Sequence, residues 1–227
     1  MRLKICGMRY QENIESVANL QPDYLGFIFH EPSSRHFDGV IPKLPKSIKK
    51  VGVFVNKDLN FIKDKIEAHQ LNAIQLHGKE SPEFCLKLKQ LCHSALDAES
   101  IQKHEILNQV QHDKSIEIIK VFSVKDSFDF SVLEPYEKAC DYFLFDTKGK
   151  LPGGNGYTFD WSVLKNYPST KPFFLSGGIG LDQIDKLKEF KDIDASKYCY
   201  ALDVNSKFEI EPGLKNIEKL KEFKSQL

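Results

Sequence analysis

The sequence predicts an α/β chain folded as a single (β/α)8 TIM barrel, and three observations carry that expectation. Short apolar runs recur at Leu3 to Cys6, Tyr24 to Phe29, Val51 to Val55, Ala73 to Leu76, Ile116 to Phe122, Tyr142 to Phe145, Phe173 to Leu175 and Tyr198 to Val204. They are apolar on both faces, as in parallel strands covered from both sides. Helical patterns lie between them, and eight strands is the number a closed barrel needs. A doubly wound open sheet is the structural competitor.

The elements come in order along the chain. The first run, Leu3-Lys4-Ile5-Cys6-Gly7, ends on a thiol. Leu59, Ile62 and Ile66 recur at helical spacing after Asp58, an apt N-cap. Ser81-Pro82-Glu83 supplies a capping hydroxyl, a proline at the first helical position and an acid in the first turn, so a helix is expected from there through Leu91. The sixth run, Phe143-Leu144-Phe145-Asp146-Thr147, ends on a carboxylate. Leu181, Ile184, Leu187 and Phe190 mark another amphipathic helix, and Ile217, Leu220, Phe223 and Leu227 a last one that closes the outer ring. One stretch breaks the rhythm. His93 to Lys114 is polar and weakly periodic, where a connection of only a few residues should join the fourth helix to the fifth strand, so it reads as a surface insertion within one 1–227 domain. It resembles the translated palindromic repeats that interrupt coding frames in some bacterial genomes. Its His93, His104 and His112 match no metal-ligand spacing and read as solvated surface residues.

A chain of 227 residues is long enough to bury roughly 70% of its unfolded surface. Lysine plus arginine equal aspartate plus glutamate at 32 each, so no global field attracts nucleic acid or an anionic membrane, and any anion must be bound locally. The five cysteines, Cys6, Cys85, Cys92, Cys140 and Cys199, are odd in number and show no CxxC pair, which argues for reduced thiols rather than disulfides or zinc. Polar Arg9, Gln11, Glu12 and Asn13 follow the first run where a signal peptide would be apolar, and no run approaches the roughly 20 residues of a membrane span. A cytoplasmic protein is expected.

In a parallel barrel the carboxyl ends of all strands open onto one mouth, so Cys6 and Asp146 could face one substrate as base and acid. Cys6 alone would read as a small buried apolar residue, and Asp146 alone as a cap or turn former. Ser176-Gly177-Gly178-Ile179-Gly180 follows the seventh run and Val204-Asn205-Ser206-Lys207 the eighth. Loops at those two places commonly cradle a phosphate with backbone N–H groups, and glycine lets the backbone approach the anion. Gly149 to Gly156 follows Asp146 and reads equally as a lid or an ordinary loop. Arg35, after the second run, could offer a planar fork to a carboxylate. His77 and Asp203 also stand at strand ends, where each alone is more often structural.

Together these residues resemble phosphoribosylanthranilate isomerases of tryptophan biosynthesis. The resemblance rests on Lys4-Ile5-Cys6-Gly7, Gly26-Phe27-Ile28-Phe29 with Ser34-Arg35, Val51 to Asn56, and Gln75-Leu76-His77-Gly78. It continues through Asp146 with Gly153-Gly154-Asn155-Gly156, Ser176-Gly177-Gly178-Ile179 and Leu202-Asp203-Val204-Asn205-Ser206. It implies an Amadori rearrangement of N-(5-phosphoribosyl)anthranilate to 1-(2-carboxyphenylamino)-1-deoxyribulose 5-phosphate, without metal or other cofactor, by a monomer or homodimer. By the same resemblance Asp146 is the general acid and Cys6 the general base, and Arg35 faces the anthranilate carboxylate. Gly177, Gly178, Asn205 and Ser206 hold the phosphate, while His77 and Asp203 line the pocket. The last loop departs from the pattern: many relatives have a second serine before Ser206 and a glycine where Lys207 stands. Indole-glycerol-phosphate synthase is the alternative enzyme, disfavoured by Cys6 and Asp146 where lysine and glutamate are needed. A non-catalytic phosphate-ligand-binding barrel is the other alternative.

Overall fold

A computed structural model describes residues 1–102, 116–147 and 159–227, with backbone alone for 93–102. Eight parallel strands close into a barrel in chain order. They are β1 (Arg2–Ile5), β2 (Tyr24–Ile28), β3 (Lys49–Phe54), β4 (Ala73–Leu76), β5 (Glu117–Val124), β6 (Tyr142–Thr147), β7 (Phe173–Leu175) and β8 (Cys199–Val204). Closure is made by β8 pairing with β1, with Arg2 opposite Ala201 and Lys4 opposite Asp203. All eight expected strands are present, and the period-two alternation of a strand sorts their side chains. Tyr24, Val51, Ala73, Ile119, Leu144 and Phe174 fill the interior. Leu3, Ile5, Leu25, Phe27 and Leu202 turn outward under the helices.

The outer layer holds α1 (Gln11–Ala18), α2 (Leu59–His69), α3 (Pro82–Gln102), α4 (Ile184–Lys191) and α5 (Ile217–Ser225). The caps expected from the sequence form: Asp58 accepts from the Phe61 N–H at 2.9 Å and the Ser81 hydroxyl from the Phe84 N–H at 3.2 Å. In α5, Leu220 and Phe223 are buried, and Phe223 packs on Phe208. The alternation of strand and α-helix is less strict than expected. After β5 and β6 the connections form 3-10 helices at Phe130–Tyr136 and Trp161–Asn166, and between β2 and β3 there is no helix. There Phe37 covers the barrel instead, 5.0 Å from the Phe27 ring. The amphipathic stretch Leu181 to Phe190 divides into a 3-10 turn (Leu181–Gln183) followed by α4.

The largest difference lies in α3, expected to end near Leu91, which continues to Gln102. Backbone helix thus takes up the first ten residues of the stretch read as an insertion. The rest of that stretch lies outside the described residues, as do His104, His112 and the Gly149 to Gly156 loop. After β8 a 3-10 turn (Ser206–Phe208) leads into a small antiparallel hairpin, β9 (Glu209–Glu211) with β10 (Leu214–Lys215), which the sequence did not announce. Among the described residues no helix is long and apolar enough to cross a membrane.

Candidate active site

At the carboxyl ends of the strands lies a cavity whose lining includes Cys6, His77, Asp146, Gly177, Gly178, Asp203, Asn205 and Ser206. These are eight of the nine residues expected from sequence, drawn from the ends of β1, β4, β6, β7 and β8. The ninth, Arg35, stands at the rim rather than in the lining. Its stem packs over Gly7, whose φ of +74° and close neighbours leave no room for a side chain: a Cβ there would lie 2.8 Å from Arg35 Cδ and 2.7 Å from Asn205 Oδ1. Glycine is therefore what brings Arg35 and Asn205 against the strand end that carries Cys6.

Asp146, next to last in β6, lies beside His77, whose Nε2 is 3.4 Å from the Asp146 Oδ2. Across the mouth, Lys4 Nζ donates to Asp203 Oδ1 at 2.8 Å, and Ser176 Oγ reaches Asp203 Oδ2 at 3.4 Å. Lys4 and Cys6 are two residues apart, so alternation points both inward, and the charge of the ammonium acts on the thiol. Burial pushes the Cys6 thiol up, while the positive charges of Lys4 and Lys215 pull it down and Asp203 pushes it further up; burial prevails and the thiol is held above its ordinary value. Burial also raises the Asp203 carboxyl, against Lys4. The Lys4 ammonium itself is opposed by burial but kept above its usual value by Asp203 and Cys6.

The wall formed by the loops after β7 and β8 suits an anion. Gly177 has φ +90°, and a Cβ there would fall 2.1 Å from Thr147 Oγ1, so only glycine brings this turn against β6. Among the described residues neither the Gly178 nor the Ser206 N–H has a hydrogen-bond partner, leaving both free for ligand oxygens. Lys207 lines the same wall and pairs with Asp182 at 3.2 Å, so its charge is partly spent within the protein.

Sequence reasoning missed the charged residues that hold this mouth together. Glu80 accepts from the N–H groups of Asn56 at 2.8 Å and Gly78 at 2.9 Å, and Lys120 donates to it at 2.8 Å. This buried pair ties together the loops after β3 and β4 and thereby fixes His77. Glu209 and Lys215 of the hairpin grip Arg35 and Asn205. Lys4 could have been found from its place two residues before Cys6; Lys215 carries no signal in the sequence. Among the described residues no three His, Cys, Asp or Glu side chains cluster as metal ligands.

A sequence model described as N-(5'phosphoribosyl)anthranilate (PRA) isomerase matches residues 3–113 and 92–226. The chain belongs to the N-(5'-phosphoribosyl)anthranilate isomerase family. It is 38% identical to the N-(5'-phosphoribosyl)anthranilate isomerase of Parabacteroides distasonis, covering 100% of this chain and 93% of that one. Its identity to the corresponding enzyme of Phocaeicola vulgatus is 36%, over 100% and 98%. The crystal structure of phosphoribosyl anthranilate isomerase from Thermotoga maritima superposes with a TM-score of 0.72 at 29% identity, over 100% of this chain and 98% of that one. A second solved isomerase, in complex with reduced 1-(o-carboxyphenylamino)-1-deoxyribulose 5-phosphate, gives 0.67 at 28%, over 98% and 96%. The two matched segments overlap at residues 92–113, nearly the same span as the 93–114 stretch read as an insertion.

Proposed function

We propose that this chain converts N-(5-phosphoribosyl)anthranilate to 1-(2-carboxyphenylamino)-1-deoxyribulose 5-phosphate, with Asp146 as general acid and Cys6 as general base. The observation that carries the assignment is that these two residues, from β6 and the end of β1, line one cavity with the Gly177–Gly178 turn and Ser206. Asp146 gives its proton to the furanose ring oxygen as the bond from that oxygen to C1 breaks, leaving a protonated Schiff base. Cys6, as thiolate, takes the proton from C2 and an enolamine forms. Gain of a proton at C1 and loss of the one on the 2-hydroxyl give the ketone. Protons move and no electrons are exchanged with a second molecule, so the reaction calls for no redox cofactor.

The phosphate would be held by the N–H groups of Gly178 and Ser206, with Gly177 and Asn205 shaping the cradle, while His77 and Asp203 orient the acid and the sugar hydroxyls. Arg35 would meet the ring carboxylate. The structure named for a reduced product supports a phosphorylated ligand for this family's cavity, and a Thermotoga maritima relative described as dimeric supports a homodimer as one assembly open to this chain. The test is turnover of freshly prepared substrate beside calorimetric binding of the reduced product. Tight binding without turnover would overturn the enzyme reading in favour of a phosphate-ligand-binding barrel. Activity should survive EDTA, and loss reversed by a divalent ion would contradict the mechanism.

A further inference from the structure

Arg35 does not approach the mouth as a free side chain. Its Nε donates to Glu209 at 2.9 and 3.0 Å and its Nη2 at 2.7 Å, a bidentate grip with Glu209 buried to 5% exposure. Among the described residues Nη1 has no hydrogen-bond partner. Glu209 is itself fixed: Lys215 Nζ donates to its Oε1 at 2.7 Å and the Gly213 N–H at 3.1 Å. Lys215 is anchored in turn from both ends. Its backbone exchanges two hydrogen bonds with the Asn13 side chain of α1, at 2.8 and 2.9 Å, and its Nζ reaches Asn205 Oδ1 at 2.6 Å. The hairpin is thus a built support rather than a surface ornament. Burial pushes the Glu209 carboxyl up, but Arg35 and Lys215 outweigh it and keep it below its ordinary value, so it remains the anion between two cations.

We propose that Glu209 is a positioning residue for substrate selection. It spends two nitrogens of the Arg35 fork on itself, and so turns the remaining edge, Nη1, toward the ortho carboxylate of the substrate's aromatic ring. This rests on the proposed function, in which Arg35 meets that carboxylate. A guanidinium is planar and its donors lie at fixed angles, so a partner that holds two of them dictates where the third points. Without Glu209 the fork would rotate freely on a flexible stem, and a ligand carboxylate would have to order it. Two cations against one anion also leave the cluster one positive charge in excess, which suits a ligand that brings a negative charge.

The test compares two inert ligands, the reduced product and the same molecule lacking the ring carboxylate, against wild type, Glu209→Gln, Arg35→Met and the double variant Glu209→Gln/Lys215→Met. Wild type should prefer the carboxylated ligand. Glu209→Gln should cut that preference by about tenfold to a hundredfold, by analogy with the loss of an outer partner that orients a metal-binding side chain. Binding of the ligand without carboxylate should hold, and KM for the substrate should rise more than kcat falls. The double variant removes any repulsion between the orphaned cations and should show the same loss of preference in a folded protein. Equal weakening of both ligands in both Glu209 variants would overturn the proposal and make Glu209 a purely structural residue. If Arg35→Met leaves the preference intact, the reading of Arg35 itself has failed, and the role of Glu209 goes with it.

Discussion

At the amino ends of the strands Arg2, Tyr24, Lys49, Glu117, Tyr142 and Tyr200 close on one another, whereas at the carboxyl ends Cys6, His77, Asp146, Ser176 and Asp203 face open space. At the closed end, the Tyr24 hydroxyl donates to Glu117 at 3.0 Å and meets the Tyr200 hydroxyl at 3.2 Å. Lys49 pairs with Glu117, Arg2 Cζ sits 4.1 Å above the Tyr200 ring, and the Tyr142 and Tyr200 rings are 4.6 Å apart. These polar groups find their partners within the protein, and burial pushes the Tyr24 phenol far up, so it donates rather than ionises. At the open end, the same kinds of group keep edges that are unpaired among the described residues: the Gly178 and Ser206 N–H groups and Arg35 Nη1. One barrel interior therefore holds two polar clusters, one closed and structural, one left unfinished for a ligand. Charge in the interior marks neither; what distinguishes the mouth is hydrogen-bonding capacity that the protein does not consume.

The contrast between the two ends breaks first at the mouth. Cys6→Ala and Asp146→Asn should each lower kcat by about 10² to 10⁴, the cost of a lost general base or acid, while the reduced product still binds through the phosphate wall. Steady-state kinetics beside calorimetry separates the two effects. Near-normal turnover in either variant would show that the mouth is not where the chemistry is done.

A gentler probe is pH. Burial keeps the Cys6 thiol above its ordinary value against the pull of Lys4 and Lys215, so the resting site holds a thiol and the base is the minor form. A base is active when deprotonated. With its pKa raised, the residual kcat/KM of Asp146→Asn, which has no carboxyl acid to titrate, should keep climbing above pH 8, by about tenfold per unit, instead of levelling near neutrality. Lys4→Met should move the rise to still higher pH, because it removes a charge that favours the thiolate. A profile of that variant already flat at pH 7 would mean that ligand or protein charges form the thiolate before the proton is taken.

The strands could be read because parallel strands covered on both faces leave uninterrupted apolar runs, and Asp58 and Ser81 because a cap acts within three residues. The helix α1 escaped notice since Ile14, Val17 and Ala18 are thinly spread among polar neighbours. The hairpin β9–β10 is too short to carry a period. Among the site residues, those on strand ends were legible because the barrel itself assigns strand ends to the mouth. Lys4, Glu80, Lys120, Glu209 and Lys215 were not assigned a role there, because each owes its place to a partner chosen by closure of the fold. Lys4 meets Asp203 only once β8 pairs with β1, and Arg35 meets Glu209 only once the hairpin folds back against the loop after β2.

The closed cluster gives the converse test. Tyr24→Phe removes one hydroxyl and leaves Glu117 with Lys49, so it should cost about 1 to 2 kcal/mol of stability, the range for a lost hydrogen bond inside a protein. Urea denaturation would read this, and kcat and KM should stay within about twofold of wild type. A large kinetic effect would show that the two ends are coupled and that the division between them is false.

The smallest effect is expected from the segment 93–114. In a barrel an α-to-β connection enters the amino end of the next strand, and β5 begins at Glu117 within the closed cluster, at the end of the barrel away from Asp146. Among the described side chains of α3, the buried apolar ones, Cys85, Leu88 and Cys92, precede residue 93, so the helix keeps this buried face when the residues after Cys92 are replaced. Loop entropy grows only with the logarithm of length, so replacing 93–114 by a short Gly/Ser linker should change stability by about 1 kcal/mol or less. Soluble yield, thermal midpoint and steady-state kinetics of that variant should all stay near wild type. A fall in turnover with the fold intact would mean that the segment reaches the mouth. A loss of fold would mean instead that the helical turns beyond Leu91 are needed to hold β4 and β5 in register.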